Sequence, residues 1–269
     1  MIDGKGGVGK TVTASLYTQW LGCNGIVHTA LDCDDNNSFT KIHPESGCHV
    51  LRSMGDIEAL MAKILDNELT VADCPAGITA QLASVFSTVE YKQALDSIQA
   101  KLVIFVPFVA NDAASLDEVR RLVSIVKSTA TYVIVKNERD GENFTSFDAS
   151  ATAQFLNKLC TPEIRIPKLD GDLRQMLNAD RLSVAQFIGR YWAMYESDKS
   201  AAFRQCPTAQ KAINNLKFIF EQFDRIAPTI LPTAALAKIR GITSEAIREF
   251  CCDAWAKKQS SIKQERIKL

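Results

Sequence analysis

The residues best suited to do chemistry stand at the start of the chain, Gly4-Lys5-Gly6-Gly7-Val8-Gly9-Lys10-Thr11. The run fits Gly, four residues, Gly, Lys, Ser/Thr, the spacing of a phosphate-cradling loop. Glycines let the backbone curl so that successive N–H groups aim at phosphate oxygens, and Gly6, Gly7, Val8 and Gly9 would line that cradle. The helix that follows adds its positive N-terminal end. Lys10 supplies a compact charge for the β- and γ-phosphates, and the Thr11 hydroxyl suits Mg²⁺. A glycine-rich turn ahead of a helix is the plainer account of the same residues. Lys5 sits inside the loop, where ordinary loops of this kind carry no fixed charge.

Two further clusters follow apolar runs. Ile26 to Leu31 leads into Asp32-Cys33-Asp34-Asp35-Asn36-Asn37, and Leu69 to Ala72 leads into Asp73-Cys74-Pro75-Ala76-Gly77. Acids at the carboxyl ends of buried strands are where α/β sheets hold their chemistry. An acid such as Asp73 can hold the shell of a Mg²⁺ ion, and Gly77 can bring a backbone N–H close to a γ-phosphate. An Asx-rich turn and a strand-ending Asp with turn Pro and Gly are the plainer readings.

These residues need a scaffold, and the hydrophobic pattern predicts one. Lys10 to about Leu21 reads as a helix ending near Gly22 and Gly25. Ile26–Leu31, Leu69–Asp73, Leu102–Val106, Tyr132–Val135 and Ile164–Ile166 read as buried strands, with Pro107 stopping the third. Ile57–Leu65, Leu116–Val126 and residues 149–159 read as helices, and Ser38 to Ser53 as mixed loop. The alternation over roughly residues 1–190 predicts an α/β fold, a doubly wound, mostly parallel sheet with helices on both faces. Only Met1 and Ile2 remain of the apolar strand expected before the loop, where about five residues are usual. The natural start is therefore expected upstream, or the chain is cut.

The last third is less informative. Phe187, Tyr191, Trp192 and Tyr195 share one helical face, which reads as a core stripe. Ala209 to Ile226 is an amphipathic helix, and Pro228 and Pro232 bracket an expected linker. The chain is thus divided into a phosphate-loop α/β domain over 1–227, with its core at 1–190, and a helical C-terminal extension over 228–269. Thr233 to Phe250 has a helix-turn-helix rhythm, with Gly241 at the turn, Ser244 as a cap, and Arg240 and Arg248 for phosphates. A plain helical hairpin is the simpler account of the same residues, since any two short helices joined by Gly look alike. The tail carries Lys257, Lys258, Lys263, Arg266 and Lys268 against Glu265, a solvated end or a surface for non-specific DNA.

The 269 residues carry 31 basic and 31 acidic side chains, so overall basicity does not drive nucleic-acid binding. No apolar run reaches membrane-spanning length, and no membrane partner is expected. The eight cysteines form no Cys-x-x-Cys pair, and the three histidines have no ligand spacing with them. Reduced thiols and a cytoplasmic location are the simplest account.

Lys5-Gly6-Gly7-Val8-Gly9-Lys10-Thr11 resembles the deviant Walker A motif of the ParA/MinD family of P-loop ATPases. Asp32-x-Asp34 with Asn37 looks like that family's segment after its second strand, and Asp73-x-Pro75-x-Gly77 looks like its Walker B and second switch. Asn137 stands where relatives often read the adenine base, and Pro167 where a late loop packs on it. The likeness covers about residues 1–190. The Asp-x-Asp-x-x-Asn spacing and Lys136-Asn137 look closest to plasmid partition and conjugal-transfer ATPases. Relatives often carry Pro where this chain has Asp35.

The resemblance implies ATP and Mg²⁺ as ligands and a homodimer in the ATP state that sandwiches two nucleotides. Lys5 would reach the partner's phosphates, Lys10 would act in its own subunit, and Asp34 would orient the attacking water. Thr11, Asp32 and Asp73 would hold Mg²⁺ and its waters, and Gly77 would sense the γ-phosphate. The implied function is a slow ATP-hydrolysing switch in partition, conjugal transfer or intracellular positioning, working with a protein partner. Two alternatives stand beside it: a metabolic ligase of the dethiobiotin synthetase type, and an iron–sulfur protein of the NifH or Mrp kind.

Overall fold

The glycine loop feeds a helix that is buried almost all round, in a computed structural model that describes residues 7–110, 112–239 and 241–267. That helix, α1 (Lys10–Cys23), buries every residue from Thr13 to Leu21, polar ones included. A helix without a solvated face belongs between layers. It is followed by β1 (Thr29–Asp32), α2 (Ser38–Ile42), β2 (Gly47–Cys48), α3 (Met54–Leu65) and β3 (Thr70–Asp73). Next come α4 (Thr79–Phe86), α5 (Val89–Ser97), β4 (Val103–Val109), α6 (Ala113–Val126), β5 (Thr131–Asn137), α7 (Thr145–Asp148), α8 (Ala151–Lys158) and β6 (Glu163–Ile166). Five helices close the chain: α9 (Gly171–Asp180), α10 (Val184–Ser197), α11 (Lys199–Ile230), α12 (Thr233–Leu236) and α13 (Ser244–Ile267).

The fold class is α/β. Among the described residues the strands form two three-stranded sheets, ordered β2-β1-β3 and β4-β5-β6, and every pairing is parallel. Side chains alternate across each strand, and the two sets enter two cores. Ile104, Val106 and Phe108 of β4 face one core with Tyr132 and Ile134 of β5. Phe105, Val133 and Val135 face the other, together with α1, α10 and α11. α1 touches both β3 and β4, and Tyr17 lies 4.8 Å from Phe105 between ring centroids. Within each sheet, parallel pairing puts the carboxyl ends on one edge: Asp32 is level with Asp73, and Val109 and Ile166 are level with Asn137.

Several boundaries differ from the sequence reading. β4 runs through Pro107 to Val109 instead of stopping before it. Among the described residues it is last in its sheet, and an edge strand tolerates a proline because the missing N–H need not face a neighbour. β1 starts at Thr29, because Ile26 still bonds Leu21 O and Val27 is 78% exposed. α11 begins at Lys199 and contains both Pro207 and Pro228, so no linker opens at Pro228. Burial of Phe223, Ile226, Ala227 and Ile230 holds its last turns despite the lost backbone bond. Residues 38–53 hold α2 and β2, not continuous loop.

The C-terminal helices share the main core. Ile247 and Cys251 of α13 lie in the same cluster as α1 and α10. α10 crosses α13 so closely that a Cβ on Gly189 would stand 1.9 Å from Cys251 O. In the aromatic stripe, Phe187 and Tyr191 are buried and Tyr195 is exposed. The helix-turn-helix rhythm resolves into the single turn of α12 and the 24-residue α13. Arg248 of α13 stacks on Trp192, 4.6 Å from the ring, and pairs with Glu196, while Arg240 lies outside the described residues.

Candidate functional site

The loop's shape depends on two glycines with left-handed backbones, Gly7 at φ 83 and Gly9 at φ 107. Val8 between them is 1% exposed and anchors the loop. Gly9 precedes α1 with no side-chain cap, and its carbonyl accepts from both the amide and the hydroxyl of Thr13.

Asn137, the last residue of β5, and Arg139 in the turn after it hold the loop from outside. Asn137 Nδ2 donates to Val8 O at 2.9 Å, and Arg139 Nη1 donates to Gly7 O. In a trans peptide the N–H points opposite to the carbonyl. With the Gly7 and Val8 carbonyls turned to β5, the Val8 and Gly9 amides are turned the other way. They stand beside the N-terminus of α1, an arrangement suited to an anion. There is no room for a side chain at Gly9, because a Cβ would stand 2.3 Å from Asn137 Nδ2.

Asp73 is the second part of the site. It is 2% exposed, and its Oδ1 is buried with no hydrogen-bond partner among the described residues. The Thr11 hydroxyl bonds its carboxylate, and the Lys10 ammonium and Asp32 carboxylate lie within electrostatic reach. Burial pushes the Asp73 carboxyl up to about 6; Asp32 pushes the same way, and Thr11 and Lys10 oppose them. Lys10 itself is 8% exposed. Loop lysine, hydroxyl and strand-ending acid are thus brought together.

The Asp32 carboxylate is buried and engaged. Its Oδ1 accepts from Asp34 N at 3.2 Å and its Oδ2 from Thr40 N at 2.8 Å. Asp34 folds its own turn, with Oδ1 accepting from the Asn36 amide and side chain at 3.0 Å each. The Asx-turn reading of this segment therefore describes its backbone. Asn37 is left-handed at φ 51 and precedes α2. Gly77 has φ 83 in the exposed turn before α4, a conformation that favours glycine on its own. Pro167 follows β6 and is half-buried. Lys5 and Gly6 lie outside the described residues.

The donor set suits Mg²⁺ in one respect. This ion keeps several waters and needs only one or two protein oxygens, and the Thr11 hydroxyl beside the unpartnered Asp73 Oδ1 offers them. Among the described residues no group of three or more His, Cys, Asp or Glu is placed to hold a metal. Behind the two acids, the buried Cys33 and Cys74 thiols hydrogen-bond each other, which with burial pushes the Cys33 thiol up.

Asn137 has a different part from the one its strand-end position suggests. It is 6% exposed, and its carbonyl oxygen accepts from Arg139 N while its amide holds Val8 O. Neighbouring Lys136 is 3% exposed and pairs with Asp148 and Glu163 at 2.7 and 2.8 Å. Sequence reasoning missed the hold of Arg139 on the loop, and no local pattern carries that signal. No protein-family model matches the chain, and no curated protein matches it. Among the described residues no helix is long and apolar enough to cross a membrane.

Proposed function

We propose that this chain is a P-loop ATPase of the ParA/MinD type, a doubly wound α/β switch that binds ATP with Mg²⁺ and hydrolyses it slowly. One observation supports it above the others: the Gly7 and Val8 carbonyls are tied back by Arg139 and Asn137, so the loop amides are presented beside Lys10, Thr11 and Asp73. Lys10 neutralises phosphate charge. Thr11 and Asp73 hold Mg²⁺, which offsets charge on the β- and γ-phosphates when bound, and Asp32 keeps the Asp34 segment beside them. Asn137 acts first as a support of the loop.

The output is a dimer-to-monomer switch, with Lys5 crossing to the partner's phosphates, in partition, conjugal transfer or positioning. A protein partner, and DNA held by the basic tail, belong to this proposal, as does a cytoplasmic setting. Size-exclusion chromatography with light scattering tests it. Mg-ATP should shift the wild type from monomer to dimer, ADP should not, and Asp34→Ala should stay dimeric in ATP. Lys5→Ala should bind ATP and remain monomeric. A Lys5→Ala chain that dimerises and hydrolyses normally defeats the sandwich reading.

A further inference from the structure

Four consecutive residues at the end of the Asp34 segment are each tied to a different element. Thr40 N donates to Asp32 of β1 at 2.8 Å. Lys41 O accepts from Lys258 Nζ of α13 at 2.8 Å. Ile42 O accepts from Gln186 Nε2 of α10 at 3.0 Å. The His43 ring bonds Ser15 Oγ of α1 at 2.7 Å.

These ties have little reason to exist unless the segment must be held. α2 has five residues, far too few to persist alone. Its last carbonyls have no partner within the helix, so outside donors decide whether it forms. The donors are costly groups to bury: Lys258 is 8% exposed and Gln186 is 4% exposed. A lysine ammonium at a helix C-terminus also meets the negative end of the helix dipole. Lys258 thus spends its charge inside the fold, unlike Lys257 and Lys263, which are exposed.

The two donors move together or not at all. α10 and α13 are packed backbone to backbone at Gly189, so a shift of α13 carries both caps away from α2. The opposite end of α2 continues directly into Asn37 and the Asp34 turn.

We infer that Lys258 and Gln186 are positioning residues through which the α10–α13 layer sets the Asp34 segment, so that whatever engages α13 tunes turnover at the nucleotide site. The regulatory half of this inference rests on the proposed ATPase reading. The docking half does not.

The test compares full-length wild type with Lys258→Met, which keeps the stem and loses the donor, and Lys258→Arg, which restores a donor. Gln186→Met removes the second cap and serves if Lys258→Met fails to fold. Amide hydrogen exchange should accelerate about tenfold at residues 37–43 in either Met variant, as expected on losing one charge-assisted or buried hydrogen bond. Exchange in β4 and β5 should stay as in wild type, and Lys258→Arg should restore the segment. In the same proteins kcat for ATP should fall at least threefold with the ATP dissociation constant within twofold, and Lys258→Arg should recover it. Unchanged exchange at 37–43, or acceleration spread evenly over the whole chain, overturns the docking. Faster exchange with unchanged kcat overturns the regulation. A wild type that binds no ATP instead defeats the ATPase reading and with it the regulatory half, and the exchange result then decides the docking.

Discussion

Asp73 was readable from the sequence as an acid closing an apolar strand. Its energetic state was not, because that depends on what covers it. With its carboxyl pushed up to about 6, the folded chain binds the proton more tightly than the unfolded chain, whose value is near 3.8. The stability this adds is fully present below the unfolded value and is lost as pH rises through about 6. Near neutral pH the ionised, partly unpartnered carboxylate therefore costs about 2–3 kcal/mol. Without Mg²⁺ or nucleotide, Asp73→Asn should raise stability by about that amount near neutral pH, and the gain should vanish below about pH 4. Chemical denaturation across that pH range checks it. Asn137 makes the complementary case: its strand-end position was visible, but its bond to Val8 spans 129 residues and leaves no local trace.

α3 and α6 were legible from their apolar spacing, α1 from the glycines bounding it and β5 from its apolar run. α2 was not, because it forms for reasons outside itself, namely an acceptor on β1 and donors on α10 and α13. Proline misled twice, each time by signalling a break where the element continues. Pro107 lies within β4, last in its sheet among the described residues, and Pro228 within α11, where burial outweighs the missing N–H. The closeness of α10 to α13 was equally invisible, since nothing near Gly189 in the chain announces Cys251. Gly189→Ala should destabilise the fold by about 1–3 kcal/mol or more, because the added Cβ meets backbone at 1.9 Å. Gly171→Ala, where a Cβ meets nothing within 4 Å, should stay within about 0.5 kcal/mol of wild type. Urea unfolding of both variants makes the comparison.

At the scale of the whole molecule, two parallel sheets share cores on both faces, and their carboxyl ends meet the loop on one edge. The sequence made the α/β class and that edge legible through its strand-ending acids. It did not reveal that α13 belongs to the core of α1 and α10, because its residues divide between a hairpin-like stretch up to Phe250 and a basic tail from Lys257. The division at residue 228 followed proline, whereas packing runs past it. The central claim is that this edge is a nucleotide site. Isothermal titration of Mg-ATP into wild type and Lys10→Ala tests it most directly. Saturable binding at one nucleotide per chain, weakened at least tenfold in Lys10→Ala while thermal stability is kept, is the predicted result; a wild type with no saturable binding, or a Lys10→Ala chain that binds equally well, would contradict it.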